Sequence, residues 1–123
     1  MTELTEGTHA GEFIYSEANG ARSREHVTVV SGQDLAAGDV VGIVTASGKY
    51  AIYNNGAADG TETAAGILFE AVDASAADAA GVIVARDAEV NLDELGWNSQ
   101  AQGAIDAGVV DLTAIGIIPR AGY

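Results

Sequence analysis

Short apolar runs alternate with glycine-bearing turns through the block from Ser23 to Val72. Val27 and Val29 alternate with His26, Thr28 and Val30, which predicts a short strand ending at the Ser31-Gly32 turn. Leu35 to Asp39 reads as a loop into Val40-Val41-Gly42-Ile43-Val44, a run apolar on both faces, as a buried strand requires. Ser47-Gly48 has the chemistry of a tight hairpin, with Lys49 to Tyr53 as the return strand. Asn54-Asn55-Gly56 and Asp59-Gly60 supply further turns, where positive φ is cheap. Gly66 to Val72 and Gly81 to Arg86 read as strands, joined by an Ala/Asp-rich linker from Asp73 to Ala80.

After Val90 the period changes. Ala101, Ala104, Ile105, Gly108, Leu112 and Ile115 share one helical face. Gly103 and Gly108 each cost about 1 kcal/mol against Ala, which predicts a helix that breaks in two. Gly116 is placed to end it, and Ile117-Ile118-Pro119 resumes extended structure. The sole tryptophan, Trp97, is expected to pack the helix onto the sheet; an interface anchor is its competing role. The class is α+β and mainly β: a small irregular β-barrel or sandwich-like body, one C-terminal helical segment and a flexible N-terminal arm.

The arm is residues 1–22, followed by a single β-rich domain over 23–123. It carries Glu3, Glu6, Glu12 and Glu17, and only Phe13, Ile14 and Tyr15 offer sizeable apolar surface beyond Met1 and Leu4. That is too little to offset the ordering entropy, so the arm is expected to be mobile in isolation. Phe13-Ile14-Tyr15 has strong β propensity and is expected to become an edge strand once a partner sheet is offered.

At 123 residues the chain fits one domain, large enough to bury about two-thirds of its unfolded surface. It has no cysteine, so neither disulfides nor thiolate metal sites hold it together. Eighteen acidic residues against five basic ones give a formal charge of −13, which repels phosphate and anionic membranes; neither nucleic acid nor membrane is an expected partner. The charge keeps a rather apolar chain soluble, and it also suits a basic partner surface. No apolar stretch reaches the ~20 residues of a membrane span, and the amino terminus does not read as a signal peptide.

Chemistry-bearing constellations are sparse. His9 and His26 lack a neighbouring His or Cys at ligand spacing, and no metal or cofactor site is expected. The oxygen-rich loop from Asn54 to Glu62 lacks the alternating acids and closing glutamate of an EF-hand and is better explained as turns. There is no nucleophile elbow, Walker loop or dinucleotide fingerprint, and no carboxylate pair stands out as acid and base, so no catalytic residue is assigned. Arg24, Arg86 and Arg120 are expected to pair with carboxylates, within the fold or across a subunit boundary.

Ser23-Arg24-Glu25 followed by Val27-Thr28-Val29 resembles the opening of the phage head decoration protein D family, the lambda-type capsid stabilisers. The resemblance runs on through Gly32-Gln33-Asp34-Leu35, Ala37 to Gly42, Tyr50, Asp59-Gly60, Ala65 to Leu68 and Val84-Ala85-Arg86. It ends with Leu95, Trp97, the Ala/Leu helix and Gly116-Ile117. It implies a non-enzymatic homotrimer on the outer surface of a mature icosahedral tailed-phage head, at three-fold and quasi-three-fold positions. There it would brace the shell against internal genome pressure, its partner being the major capsid protein. The family's arm pairs with capsid strands, which makes Glu12, Phe13, Ile14, Tyr15 and Ser16 the candidate capsid-binding residues and Arg24 and Trp97 candidate interface residues. The alternative is a small carbohydrate- or ligand-binding β module displayed on a virion.

Overall fold

The computed structural model describes residues 9–20 and 22–121. Among these residues, ten strands and one α-helix follow in chain order: β1 Ile14–Glu17, β2 Arg24–Val29, β3 Gln33–Leu35, β4 Val40–Ile43, β5 Tyr50–Ile52, β6 Gly66–Leu68, β7 Val72–Ala74, β8 Ala79–Val84, β9 Ala88–Asn91, α1 Gln102–Ala114 and β10 Ile117–Arg120. Five of them close a barrel in the order β2-β5-β4-β6-β8. A three-stranded sheet, β1-β9-β10, and a two-stranded ribbon, β3-β7, complete the fold.

Two cores explain why β4, β6 and the end of β8 are apolar on both faces. Successive side chains of a strand point to opposite sides. Val41, Leu68 and Ile83 fill the core that also holds Val29, Leu35 and Val72. Their neighbours Val40, Ile67 and Val84 face the other way, into a second core with Phe13, Tyr53, Trp97, Leu112 and Ile117. The barrel wall therefore lies between two apolar fillings, and β1, β9, β10 and α1 close the outer one.

α1 is a single unbroken helix, which corrects the expected break. Gly103 sits in its first turn, exposed. Gly108 is buried against Trp97 and Tyr53, and a Cβ there would overlap the Trp97 ring. The glycine lets the helix approach the indole, and that packing outweighs a propensity loss of about 1 kcal/mol. Gly116 follows the helix at φ +87°, donating its N–H to Thr113 C=O at 3.1 Å, as the sequence predicts for a terminator.

Two short strands, β3 and β7, and the start of β8 fall outside the expected strands. β3 lies ahead of the expected Leu35–Asp39 loop and shares only Leu35 with it, β7 runs from the last residue of the expected Gly66–Val72 strand into the linker, and the six-residue β8 begins two residues before Gly81. β3 and β7 pair antiparallel through Gln33–Ala74, Asp34–Asp73 and Leu35–Val72. Their three-residue length hides any alternation from the sequence.

The chain from Phe13 onward is packed on the body. Phe13 is 0% exposed, and Ile14 to Glu17 pair antiparallel with β9. The partner sheet that this triplet requires is thus supplied by the chain itself, which corrects the picture of residues 13–17 as lying outside the core. Residues 1–8 lie outside the described residues.

Candidate docking surface

β1 is one edge of the three-stranded sheet and β10 is the other. β10 runs parallel to β9, with Pro119 opposite Val90. Proline has no N–H, and it is tolerated in a sheet where that position faces away from the neighbouring strand. The outer rim of β10 thus lacks a donor at its middle. β1 contains no proline, and among the described residues no strand pairs with its outer side. Its register with β9 shifts between Ile14 and Ser16, and Tyr15 at the shift is 43% exposed.

The sequence-predicted contact residues divide by face. Phe13 points into the core and Ile14 is half-buried, whereas Glu12, Tyr15 and Ser16 are exposed. Glu12 accepts the His9 N–H at 2.7 Å and so fixes the turn that enters β1. Ser16 Oγ donates to Glu89 at 2.9 Å, and Arg120 donates to the other Glu89 oxygen at 2.6 Å. Ser16, Glu89 and Arg120 thus form a row across β1, β9 and β10. These hydrogen bonds, Ser16 first and Arg120 second, hold the Glu89 carboxyl below its ordinary pKa.

All four arginines of the chain gather around this sheet and the neighbouring ends of β2 and β8, each on a carboxylate. Arg24 forks onto Glu17 at 2.5 Å and lies 4.0 Å over the Phe69 ring. Arg120 meets Glu89 at 2.5 Å, Arg22 meets Asp87 at 3.5 Å, and Arg86 pairs with Glu25 while donating to Arg22 C=O at 2.7 Å. Exposed pairs of this kind are worth about 0–1 kcal/mol each, so their main effect is on the field. Each of these four pairs is neutral as a unit, and Glu12, exposed at the entry to β1, stands outside them. The remaining fourteen acids against Lys49 carry the whole formal charge of −13.

Trp97, the other candidate interface residue, is 9% exposed and edge-on to Tyr53 at 5.8 Å. It fills the outer core, as its expected packing role requires. His26 is exposed on β2 and, among the described residues, no group of three or more His, Cys, Asp or Glu is arranged to hold a metal. An open groove of about 540 Å³ lies between β2 and the β4–β5 hairpin, where the two strands pair only at Val29 and Tyr50. Glu25, His26, Thr28, Ser47, Lys49 and Tyr50 line it.

Sequence reasoning missed Glu89 and the role of Pro119. The signal was present: Ala88 to Asn91 alternates inward and outward, and a proline within an extended run marks an edge strand.

No curated protein matches the chain. The family model of the bacteriophage lambda head decoration protein D matches residues 3–117, and the chain belongs to that family, whose members are structural proteins of the phage head.

Proposed function

We propose that the protein cements a mature icosahedral head as a trimer on its outer surface, docking through the β1 side of the β1-β9-β10 sheet, where the arginine–carboxylate pairs gather. Family membership supports the capsid role. The observation that carries the choice of face is the confinement of all four arginines, each already neutralised, to this one region of a chain with charge −13. Like-charged copies crowded on a shell repel one another least across such a region. The outer edge of β1, on which no strand pairs among the described residues, adds backbone groups for strand addition, with Tyr15 as an exposed side chain and residues before it extending the contact. Three such contacts on one trimer act by avidity.

The test is decoration of expanded, undecorated heads by purified protein. A chain lacking residues 1–8 keeps Phe13 and β1, whereas a cut after residue 20 removes both from the fold. The shorter deletion, and separately Tyr15→Ala, should leave a folded trimer that decorates poorly. Full decoration by both variants would overturn the reading. A second reading, a small-ligand module, would use the groove beside Tyr50; saturable sugar binding abolished by Tyr50→Ala would favour it.

A further inference from the structure

Asn55-Gly56 lies in an exposed turn that closes with the Ala57 N–H on Asn54 C=O at 3.0 Å. The turn is tied to the helix side of the molecule. Asn55 N–H donates to Gln100 Oε1 at 2.8 Å, and Gln100 Nε2 donates to Tyr53 C=O at 2.8 Å and Trp97 C=O at 3.0 Å. Tyr53 Oη donates to Ala104 C=O at 2.8 Å and lies 3.3 Å from the Asn55 side-chain oxygen. Gln100 thereby latches the turn after β5 to the segment that enters α1.

Chemistry threatens this latch from within. The residue after Asn55 has no side chain to shield its backbone nitrogen, and that N–H is held only by a neighbouring side chain, Asn54 Oδ1 at 3.1 Å. All three residues from Asn54 to Gly56 are exposed, so the turn can open without disturbing either core.

We propose that Asn55 is a self-modification site whose conversion releases the Gln100 latch. The Gly56 nitrogen, giving up its proton to water, attacks Asn55 Cγ. A Gly56 N–Cγ bond forms, the Cγ–Nδ2 bond breaks, and the amide leaves as ammonia. Water then opens the cyclic imide at either carbonyl, giving aspartate or isoaspartate. The isoaspartyl product carries one extra backbone carbon between residues 55 and 56. The turn that aims the residue 55 N–H at Gln100 can no longer close in the same register. Ageing thus loosens the start of α1 while both apolar cores stay intact.

The structure also supplies the control. Gly56 does not occupy the left-handed region, and a Cβ there meets only Asn54 Oδ1 at 3.6 Å, so Gly56→Ala fits the turn and shields the nitrogen. The full chain is incubated at mildly alkaline pH and followed by peptide mass spectrometry, enzymatic isoaspartate labelling and amide hydrogen exchange. Conversion at residue 55, its loss in Gly56→Ala, and faster exchange at Ala104 and Ile105 in the isoaspartyl fraction are expected. Asn55→Asp, which adds the charge without the carbon, should keep that protection. The proposal is overturned if Asn55 stays intact while the denatured chain converts. It is equally overturned if the isoaspartyl fraction exchanges like the fresh protein, or if Asn55→Asp loosens α1 as much.

Discussion

Gly108 and Trp97 share one space: the indole fills the position that any side chain at 108 would occupy. The pair decides how closely α1 approaches the barrel, since Tyr53 also meets Gly108 from the barrel side.

Gly108→Ala should therefore destabilise the protein by about 1–3 kcal/mol through overpacking, despite the better helix propensity of alanine. Gly103 has nothing within 4 Å of where its Cβ would stand. Gly103→Ala should stabilise by about 0.4–1 kcal/mol. Urea unfolding of the two variants checks both, and equal effects of one sign would contradict the packing argument.

Phe13 and Tyr15 are two residues apart and should respond in opposite ways. Phe13→Ala empties a fully buried site in the outer core and should cost about 3–5 kcal/mol. Tyr15→Ala, at an exposed ring, should change stability by no more than about 0.5 kcal/mol while weakening capsid docking. Thermal unfolding beside a decoration assay separates the two roles.

Acid should weaken the fold through a named set of carboxylates. Thr61 holds Asp59, Ser75 holds Asp73, Lys49 and the Ser31 N–H hold Asp78, and Ser16 with Arg120 holds Glu89, all below their ordinary pKa. Their stabilisation is complete above the unfolded carboxylate range and is lost as pH falls through the lower folded values. Glu89→Gln should flatten part of that loss in a pH series of urea midpoints.

Asp39 should behave in the opposite sense. Burial raises its pKa, although the Ala36 N–H donates to it at 2.9 Å. The folded state holds the Asp39 proton more tightly than the unfolded one, so its contribution is present at low pH and is lost as pH rises through the raised folded value. Asp39→Asn keeps an acceptor for Ala36 without the charge. It should raise stability at neutral pH and remove the pH dependence just above the ordinary aspartate range. An unchanged profile would remove Asp39 from the account.

The barrel was legible because its strands face two cores. Val40-Val41 and Ile67-Leu68 have no polar face, and an unbroken apolar run is a strong signal. α1 was legible in extent but not in continuity, because propensity counts Gly108 as a loss and cannot register the Trp97 ring beside it. β1 was misplaced for a related reason. Most of the arm before it is polar, and the core that takes in Phe13 is built by residues far along the chain, from Val40 to Ile117. The gathering of ion pairs at the proposed docking surface was the least legible element. Arg24, Arg86 and Arg120 read correctly as ion-paired, but their gathering at one sheet depends on tertiary register.

Pro119 gives the small sheet a valence. Polymer growth needs units with two reactive ends, and a unit with one is a chain stopper. With β10 lacking a donor at Pro119 and, among the described residues, no strand paired on the outer side of β1, the sheet has two unequal ends. On the proposed docking mode a copy adds to a shell strand through β1, and Pro119 disfavours a second addition at β10 that would carry growth from sheet to sheet.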